Sequence, residues 1–359
     1  MDLEERMNLI MSVGEEVLTP EELKQLLETN DHPVAYDGFE PSGRAHIPFG
    51  LLRAENINTL HKAGVKFKLF LADYFAFINN KVGGDLEKIK TNGKYFIEIW
   101  KACGVDTDKV EIIWASEKMD DIDYWDKVLR VGREITLKRS LRATTIMGRT
   151  QGELQSTAQL FYPIMQVADV FNLDIDICQM GMDQRRANIL AREVAPKLGW
   201  KKSVAIHHHM VLGLQGKQAS SSNDEEEAML TSKMSKSKPE TCIYMHDTEE
   251  DIKRKIGKAY CPERVIEGNP IIDYCEHLIF KKYDTMLFER PAKFGGNLEI
   301  QGIAELKKVY EEGKLHPMDL KSASAKYLNE MVAPVREHFE KNKKAAELYE
   351  TVKQYAITR

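Results

Sequence analysis

The sequence has few cysteines and no long apolar run. Only five of its 359 residues are cysteine, and they are dispersed without a CxxC pair. This usage predicts buried, reduced thiols rather than a disulfide framework. No apolar run reaches the length that crosses a membrane, and the acidic first residues lack the cationic and apolar regions of a signal peptide. We therefore expect a cytosolic protein that is not associated with a membrane.

The chain also lacks an excess of basic residues. Lysine and arginine number 51 against 56 acidic residues, which gives a formal net charge of −5. This balance does not by itself indicate a nucleic-acid-binding protein, although a local basic patch would suffice for binding. With 43% hydrophobic and 30% charged residues, the composition is that of a globular protein large enough for two or three cores.

Apolar segments that alternate with helix-like sequence predict a parallel, doubly wound α/β sheet. The candidate strands are residues 33–38, 65–73, 110–115, 175–180 and 204–206. Ligands of such a sheet bind beyond the carboxyl ends of its strands. Residues from about 120 to 160 look helical and interrupt the alternation, so we interpret them as an insertion.

The pattern changes near residue 246, after which it is mostly helical. We therefore predict a first domain at residues 1–245 and a second, helical domain at residues 246–359. A stretch rich in serine and acidic residues lies between positions 216 and 229. Its composition predicts a flexible loop, which would continue to about residue 237.

Two short segments suggest a site for phosphates. Residues 38–43 (GFEPSG) end a predicted strand in a turn and lead to His46, where a helix is expected to begin. Backbone N–H groups and a helix N-terminus would then face a bound anion. Residues 233–237 (KMSKS) place two ammonium groups on a serine-rich loop, which suits a polyphosphate that is held and then released. In this order and spacing, the two segments resemble the signatures of class I aminoacyl-tRNA synthetases.

A polar stripe on an otherwise apolar helix suggests a second binding site. Tyr162, Gln166 and Asp169 are spaced i, i+4 and i+7, which puts them on one helix face. Pro163 suits the first turn of that helix. The flanking residues are nearly all apolar, so the helix is predicted to be buried. A buried phenol, amide and carboxylate need polar partners, which a bound amino acid would supply.

Three segments narrow the resemblance to one family. Residues 36–43, 162–169 and 181–186 are similar to those of archaeal and eukaryotic cytoplasmic tyrosyl-tRNA synthetases, and the similarity extends in order over nearly the whole chain. The resemblance implies a Rossmann-like catalytic domain with a helical insertion, followed by an α-helical anticodon-binding domain. It further implies ligation of L-tyrosine to tRNA(Tyr) with ATP and Mg²⁺, by a cytoplasmic homodimer built through the insertion.

The resemblance also assigns roles to individual residues. Tyr36 and Asp169 would bind the phenol hydroxyl of tyrosine. Its ammonium group would be held by Tyr162, Gln166 and Gln184. The residues expected to contact ATP are Gly38, Ser42, His46, Asp183, Lys233, Met234, Ser235 and Lys236. The catalytic residues are expected to be those that serve the phosphates, namely His46, Lys233 and Lys236.

Basic and aromatic residues are assigned to tRNA in the same way. Near the first base pair of the acceptor stem, the resemblance places Arg142, Arg185 and Arg186. For the anticodon, it implies contacts from Phe294, His316, Asp319 and Lys321. Phe294 could stack on a splayed base, and Asp319 could accept hydrogen bonds from a guanine edge.

One position departs from the family pattern. Members often carry His-Ile-Gly-His where this chain has His46, Ile47, Pro48 and Phe49. Without the second histidine, one contact to a phosphate or to adenine is in doubt. Binding of the phosphates would then depend more on His46 and the lysine loop.

The run of histidines at 207–209 does not predict a metal site. Consecutive residues of a strand point to opposite faces, and neither a cysteine nor a further histidine lies at ligand spacing. We therefore expect no metal ligands.

Two alternative functions stay open. A tryptophanyl-tRNA synthetase would share the fold and chemistry, although Tyr36 and Asp169 suit a phenol better than an indole. A non-catalytic RNA-binding or signalling paralogue is favoured only by Phe49. The retained lysine segment and tyrosine-binding set argue against it.

Overall fold

The computed structural model describes residues 1–149, 151–217, 232–236 and 239–355, with the backbone but not the side chains of Gln151 and Phe294. The predicted acidic loop lies largely outside these residues. Strands β1 to β6 are Glu16–Leu18, Val34–Phe39, Lys66–Leu71, Val110–Trp114, Ile177–Gly181 and Val204–His208. Within the described ranges they form a six-stranded sheet in the order β1-β6-β5-β2-β3-β4.

The sheet confirms the predicted α/β architecture. Strands β2 to β6 are parallel, and β1 pairs antiparallel with β6 at one edge. Each predicted strand is present with slightly shifted ends, whereas the sequence reasoning missed β1. A three-residue strand is too short to show the alternation of polar and apolar residues that identifies longer strands.

Helices surround the sheet and continue to the end of the described chain. The first part contains α1 (Leu3–Met11), α2 (Pro20–Thr29), α3 (Arg53–Lys62), α4 (Asp73–Ile78), α5 (Leu86–Ala102), α6 (Ile122–Glu134), α7 (Leu137–Ala143), α8 (Tyr162–Asn172) and α9 (Arg185–Leu198). Later helices are Glu249–Lys258, Pro270–Tyr274, Phe280–Lys282, Gly302–Glu311, Pro317–Lys341 and Lys343–Lys353. Single turns of 3-10 or π geometry are Pro48–Leu52, Lys81–Gly84, Ala115–Lys118, Thr144–Met147, Gln151–Glu153, Thr157–Leu160, Met182–Gln184, Pro239–Thr241, Cys275–Ile279 and Ala292–Phe294.

Alternate residues of the central strands enter two different cores. On β2, Ala35 packs into one buried cluster and Tyr36 into the other; on β5, Ile177 and Cys178 divide in the same way. Successive side chains of a strand point to opposite faces, so both faces of the sheet are covered. Helix α8 lies on the Tyr36 face. This arrangement brings the polar stripe of α8 to the side of the sheet onto which Tyr36 projects.

The order of the strands creates a crevice between β2 and β5. From β2 the chain builds β3 and β4 outward on one side, and β5 and β6 on the other. In an open parallel sheet, ligands bind at such a reversal, beyond the carboxyl ends of the strands. Here those ends are followed by the turn at 40–45 and by the short turn Met182–Gln184.

The C-terminal part is mostly helical but also contains a hairpin. Strands β7 (Thr285–Phe288) and β8 (Leu298–Gln301) pair antiparallel, a feature that the sequence reasoning did not predict. One buried apolar cluster runs from the sheet into the C-terminal helices without a break. At this junction the rings of His246 and Tyr349 stack with centroids 3.7 Å apart.

The structure bears on two of the sequence predictions, the reduced cysteines and the lack of a membrane-spanning segment. All five cysteines are free thiols, three of them buried and two half-buried. Among the helices that the structure describes, none combines the length and apolar character needed to cross a membrane.

Candidate active site

A cavity of about 350 Å³ opens at the crevice between β2 and β5. Every residue predicted to bind tyrosine or ATP lines it, namely Tyr36, Gly38, Ser42, His46, Tyr162, Gln166, Asp169, Asp183, Gln184, Lys233, Met234, Ser235 and Lys236. We call the part around Tyr36 and Asp169 the inner end, and the part around Lys233 and Lys236 the lysine end. Segments nearly 200 positions apart in sequence thus share one site.

The inner end carries polar groups inside an apolar wall. Tyr36 and Asp169 are almost fully buried, and the Tyr36 hydroxyl has no hydrogen-bond partner among the residues described. Burial raises the pKa of Asp169 well above its usual range, an effect that the neighbouring Tyr124 hydroxyl opposes only in part. The Tyr124 hydroxyl itself lacks a well-formed hydrogen bond within the described chain. Sequence reasoning missed Tyr124, which comes from α6.

Two amides are held in fixed positions along the wall. The Gln166 Nε2 atom donates to Gln184 Oε1 at 3.1 Å, and Gln184 Nε2 donates to the carbonyl oxygen of Ile146 at 3.0 Å. These bonds fix the orientation of both side chains. Gln166 lies on α8 and Gln184 ends the turn after β5, so the bond ties the two elements together.

A second residue missed by the sequence reasoning positions Tyr162. Glu40 Oε1 accepts hydrogen bonds from the Tyr162 hydroxyl at 2.9 Å and from Asn79 Nδ2 at 2.8 Å. Asn79 is in turn fixed by Arg149, whose Nε donates to its Oδ1 at 2.6 Å. Lys81 lies 3.7 Å from Glu40. Glu40 belongs to the GFEPSG segment, so its place in the site could have been inferred from that motif.

His46 caps the helix that follows the glycine turn. Gly43 adopts a φ of 61°, which glycine tolerates without strain, and the chain then turns into Pro48–Leu52 and α3. His46 Nδ1 accepts the backbone N–H of Phe49 at 3.2 Å. Burial, with the nearby Lys236 ammonium, lowers the pKa of His46 to about 3. The ring is therefore neutral at physiological pH.

Phe49 occupies the position where a second histidine is often found. It is 7% exposed, and its ring centroid lies 4.1 Å from that of Phe96 and 4.8 Å from that of Trp100. The Trp100 indole N–H donates to the Phe49 carbonyl oxygen at 3.3 Å. Phe49 is thus part of an aromatic cluster that forms part of the cavity wall.

Both lysines of the lysine end contact protein groups. Lys233 Nζ lies 2.7 Å from Asp183 Oδ2, and Lys236 Nζ donates to the Ser42 carbonyl oxygen at 2.6 Å. Burial would raise the pKa of Asp183, but the Lys233 ion pair holds it below its usual value. Lys236 also lies 4.9 Å from the Phe96 ring centroid, and burial lowers its pKa to about 8.

A buried charge network supports the floor of the cavity. Arg53 contacts Asp37 Oδ2 at 2.8 Å and donates to His208 Nδ1 at 2.6 Å. Burial raises the pKa of Asp37 to about 7 in spite of the Arg53 charge. Gln179 Nε2 also donates to His208 Nδ1, at 2.8 Å. Arg53 lies ten residues beyond the last glycine of the GFEPSG segment, at the start of α3, and no spacing rule pointed to it.

The residues predicted to contact tRNA fall into two separate places. Arg142 is exposed at the end of α7, and its carbonyl oxygen accepts a bond from Arg186 at 3.2 Å. Arg185 forms an ion pair with Glu16 on β1 at 2.8 Å. All three lie beside the cavity, on α7 and at the start of α9.

The predicted anticodon residues lie in the C-terminal part. His316 caps the helix Pro317–Lys341 by accepting the backbone N–H of Met318 at 3.1 Å, and Asp319 lies in its first turn. Lys321 Nζ donates to the Gly257 carbonyl oxygen at 3.0 Å. Phe294 ends the short turn Ala292–Phe294.

Comparison with known proteins is consistent with this geometry. A family model described as tRNA synthetases class I (W and Y) matches residues 28–232 and 226–333. The tyrosine–tRNA ligase of Thermococcus kodakarensis is 46% identical over 98% of this chain and 99% of its own. The cytoplasmic tyrosine–tRNA ligase 1 of Arabidopsis thaliana is 44% identical over 100% of this chain and 90% of its own.

A solved structure extends the similarity to the fold. The crystal structure of tyrosyl-tRNA synthetase from Pyrococcus horikoshii, complexed with L-tyrosine, matches with a TM-score of 0.90 and 42% identity. The match covers 98% of this chain and 100% of that one. The chain therefore belongs to the class I tRNA synthetases, enzymes that use ATP to attach an amino acid to tRNA.

Proposed function

We propose that this chain is a tyrosine–tRNA ligase, which activates L-tyrosine with ATP and transfers it to the 3′-terminal ribose of tRNA(Tyr). The observation that carries the proposal is the inner end of the cavity. A buried tyrosine hydroxyl without a partner in the described chain faces the same space as the buried Asp169 carboxyl. An unpaired buried hydroxyl costs free energy, and the phenol of a bound tyrosine would relieve that cost.

The amides and Glu40 suit the other end of the amino acid. Gln166 and Gln184 keep carbonyl oxygens near the cavity, and Glu40 holds the Tyr162 hydroxyl. These oxygens are acceptors for an ammonium group. We infer that Tyr162, Gln166 and Gln184 hold the α-ammonium group and that Glu40 keeps Tyr162 in position.

The first reaction needs little acid–base chemistry from the protein. The substrate carboxylate is already an anion, so one of its oxygens can attack the α-phosphorus of ATP. A bond to phosphorus forms, the bond to the β-phosphate bridging oxygen breaks, and pyrophosphate leaves with the electron pair. Catalysis then consists of alignment and of stabilising the charge that develops on the phosphates.

The lysine end can supply that stabilisation by exchanging partners. Lys233 would leave Asp183, and Lys236 would leave the Ser42 carbonyl oxygen, as negative charge grows on the leaving pyrophosphate. Asp183, once freed, could accept a hydrogen bond from the ATP ribose. Neutral His46 can donate a hydrogen bond to a phosphate through its Nε2, because its Nδ1 accepts the Phe49 N–H.

We expect Mg²⁺ to enter with the nucleotide. Hard oxygen ligands suit Mg²⁺, and the carboxylates near the lysine end are Asp183 and Glu40. Both already contact lysine ammonium groups, at 2.7 Å and 3.7 Å. The residues present therefore suit an ion carried by ATP phosphates better than a resident one.

The second reaction involves the tRNA. A hydroxyl of its terminal ribose attacks the carbonyl carbon of tyrosyl-adenylate and forms the ester bond. The bond from that carbon to the phosphate oxygen breaks, AMP leaves with the electron pair, and the hydroxyl proton passes to the leaving phosphate. We infer that Arg142, Arg185 and Arg186 approach the acceptor stem, since they lie beside the cavity. Phe294, His316, Asp319 and Lys321 would meet the anticodon from the C-terminal part.

We further propose a cytoplasmic homodimer that associates through the insertion at about 120–160. Large apolar side chains in and beside α6 and α7 are exposed: 78% for Ile122, 65% for Leu129 and 66% for Leu137. Exposed apolar patches mark association surfaces. We also infer a boundary near residue 245 between the catalytic domain and the anticodon-binding domain, since the large sheet ends before it.

ATP–pyrophosphate exchange with each of the twenty amino acids tests the proposal. We expect exchange with tyrosine alone, because Tyr36 and Asp169 select for a phenol. The matched family model covers both tyrosine and tryptophan enzymes, so exchange with tryptophan would establish the rival specificity. Absence of exchange with every amino acid would favour the non-catalytic alternative.

A further inference from the structure

Arg53 is a cation in the wall of the cavity that takes no part in the mechanism proposed above. It begins α3 and lines the cavity, and 16% of its side chain is exposed. Its Nη1 atom is occupied, since it lies 2.8 Å from Asp37 Oδ2 and 2.6 Å from His208 Nδ1. Among the described residues, no hydrogen bond is formed by its Nε or Nη2 atoms. These atoms carry three of the five N–H donors of a guanidinium group, and a ligand in the cavity can accept hydrogen bonds from them.

Arg53 and the tyrosine pocket lie on opposite faces of the sheet. Tyr36 projects toward α8, and Asp37, the next residue of β2, points to the other face. Phe39 belongs to the buried cluster of that second face, and the Arg53 Cζ atom lies 5.4 Å from its ring centroid. The turn that carries His46 leads into α3, whose buried residues belong to the same cluster. Arg53 is therefore placed for the nucleotide rather than for the amino acid.

The Arg53 charge also acts on two groups that are proposed to contact ATP. Burial would raise the pKa of Asp183, but the Lys233 ammonium and, after it, the Arg53 guanidinium hold this pKa below its usual value. Burial and the Lys236 ammonium lower the pKa of His46, and the Arg53 charge adds to that effect. Arg53 thus lies within electrostatic reach of both groups.

We propose that Arg53 is a nucleotide-binding residue that donates a hydrogen bond to a ribose hydroxyl of ATP, opposite Asp183. A hydroxyl group can donate and accept at the same time, so one ribose hydroxyl can donate to Asp183 and accept from Arg53. Asp37 and His208 are positioning residues, because they hold Nη1 and with it the plane of the guanidinium group. The inference rests on the proposed function only for the use of ATP, and not for the choice of tyrosine.

Support of the fold does not account for the arginine. Gln179 Nε2 already donates to His208 Nδ1 at 2.8 Å, so that histidine does not need a second donor. Burial raises the pKa of Asp37 to about 7 in spite of the Arg53 charge, so a neutral carboxyl group would be tolerated at this position. A buried ion pair generally adds little net stability, because desolvation offsets the attraction. A ligand that accepts hydrogen bonds explains the guanidinium group better.

Nucleotide binding without an amino acid tests the contact. Calorimetry with ATP and with magnesium pyrophosphate compares the wild type with Arg53→Met. We expect Arg53→Met to weaken ATP binding about 10–100-fold, as loss of a hydrogen bond from a charged donor does, and to leave pyrophosphate binding unchanged. Unchanged ATP affinity in the folded variant would overturn the proposal. An equal loss for ATP and pyrophosphate would also overturn it, because the contact would then be to phosphate.

The matched control is an arginine of similar burial that does not line the cavity. The Arg192 side chain is 13% exposed and pairs with Glu22 at 2.6 Å. Arg192→Met should lower the melting temperature but leave the affinities for ATP and pyrophosphate at their wild-type values. A loss of ATP affinity equal to that of Arg53→Met would show that removal of any buried arginine disturbs the cavity, and would overturn the assignment.

Deoxynucleotides test the contact to ribose. The wild type should bind either 2′-deoxy-ATP or 3′-deoxy-ATP more weakly than ATP. With that nucleotide the penalty of Arg53→Met should shrink, because the hydroxyl that Arg53 contacts is already absent. Equal penalties of Arg53→Met for ATP and for both deoxynucleotides would overturn the assignment to a ribose hydroxyl.

Two further variants keep the test independent of folding. Arg53→Met leaves Asp37 without a counter-charge, whereas the double variant Arg53→Met/Asp37→Asn removes both charges and should lose the same ATP affinity. Arg53→Lys keeps the charge but offers a single nitrogen, so it should recover only part of the affinity. Circular dichroism checks the fold of each variant. Because no amino acid is present, unchanged ATP binding in the folded variants would overturn the Arg53 assignment alone, and a failure of tyrosine specificity would not affect it.

Discussion

At the inner end of the cavity, buried polar groups lack hydrogen-bond partners among the described residues, whereas at the lysine end the charged groups already contact protein groups. The Tyr36 hydroxyl is unpaired within the described part of the chain, while Lys233 and Lys236 are bound to Asp183 and to the Ser42 carbonyl. Buried, unpaired groups discriminate strongly, because a wrong substrate leaves them unsatisfied. Paired groups on an irregular segment can instead change partners as charge develops. The difference indicates that one end selects and the other catalyses.

The largest effect is expected from truncating the lysine end. Lys233→Ala and Lys236→Ala should each lower kcat of adenylate formation by about 10²–10³, because they remove a donor aimed at developing charge. The KM for tyrosine should change little. Pre-steady-state measurement of adenylate formation checks this. Lys217→Ala, which removes an exposed pairing with Glu267, is the control and should behave as the wild type. A raised KM for tyrosine with a normal kcat would mean that the lysine end contributes to tyrosine binding and not to stabilisation of the developing charge.

Truncating the inner end should instead weaken the selection of tyrosine over phenylalanine. Asp169→Ala should lower kcat/KM for tyrosine by about ten- to a hundredfold, because the hydroxyl of the bound substrate would lose the polar partner that we propose for it. ATP–pyrophosphate exchange with tyrosine and with phenylalanine measures the loss of kcat/KM for tyrosine. It also measures the smaller ratio between the kcat/KM values of the two amino acids.

The control for that experiment is a buried carboxylate with a structural task. Asp176 accepts the Val34 N–H at 2.8 Å, so Asp176→Ala should lower the melting temperature but leave kcat/KM of the folded enzyme near the wild-type value. If Asp169→Ala behaved in the same way, Asp169 would be a structural residue only.

Asp319 is remote from both ends of the cavity, so its substitution should change neither the selection of tyrosine nor the formation of the adenylate. Asp319→Ala should leave ATP–pyrophosphate exchange intact and reduce aminoacylation about ten- to a hundredfold, since loss of a base contact costs about 1–3 kcal/mol. The penalty should shrink with a tRNA altered at the first anticodon base, because the contact is then already lost. Equal penalties for both tRNAs would show that Asp319 does not read that base, and a parallel fall in exchange would indicate global destabilisation.

The fall of activity at alkaline pH should report the lysine end. Burial lowers the pKa of Lys236 to about 8, so its ammonium is charged below that pH and is lost as the pH rises through it. We expect kcat/KM for ATP to fall above a pH of about 8. In Lys236→Arg, whose guanidinium stays charged, the fall should move to higher pH. An unchanged profile in this variant would assign the titration to another group.

The smallest effect on activity is expected at Phe49. Its ring packs on Phe96 and Trp100, so Phe49→His would bury a polar ring and lower the free energy of unfolding by about 1–3 kcal/mol. Adenylate formation should not accelerate. Stopped-flow rates and thermal melting check the two statements. A large gain in rate would identify the chain as an enzyme weakened at this position.

The features that local sequence predicted are those with strong local signals. The apolar run at 65–73 predicted β3, and the apolar surroundings of Tyr162, Gln166 and Asp169 predicted a buried helix that the structure contains as α8. Strand β1 and the β7–β8 hairpin were missed because strands of three or four residues carry little pattern.

Contacts between distant segments could not be predicted from local pattern. Tyr124 reaches the inner end, Lys233 pairs with Asp183, and His277 meets His209 only because the chain folds back on itself. The roles assigned to site residues came from family resemblance, whereas their convergence on one cavity is a finding of the structure.

The unbroken apolar core between the sheet and the C-terminal helices has a consequence for unfolding. His246 and Tyr349 stack on each other, and Tyr95 of α5 packs against both. A chain cut near residue 245 would leave this aromatic surface bare to water and prone to aggregation. The two functional parts should therefore melt together in one cooperative transition, and neither is expected to be a separable module.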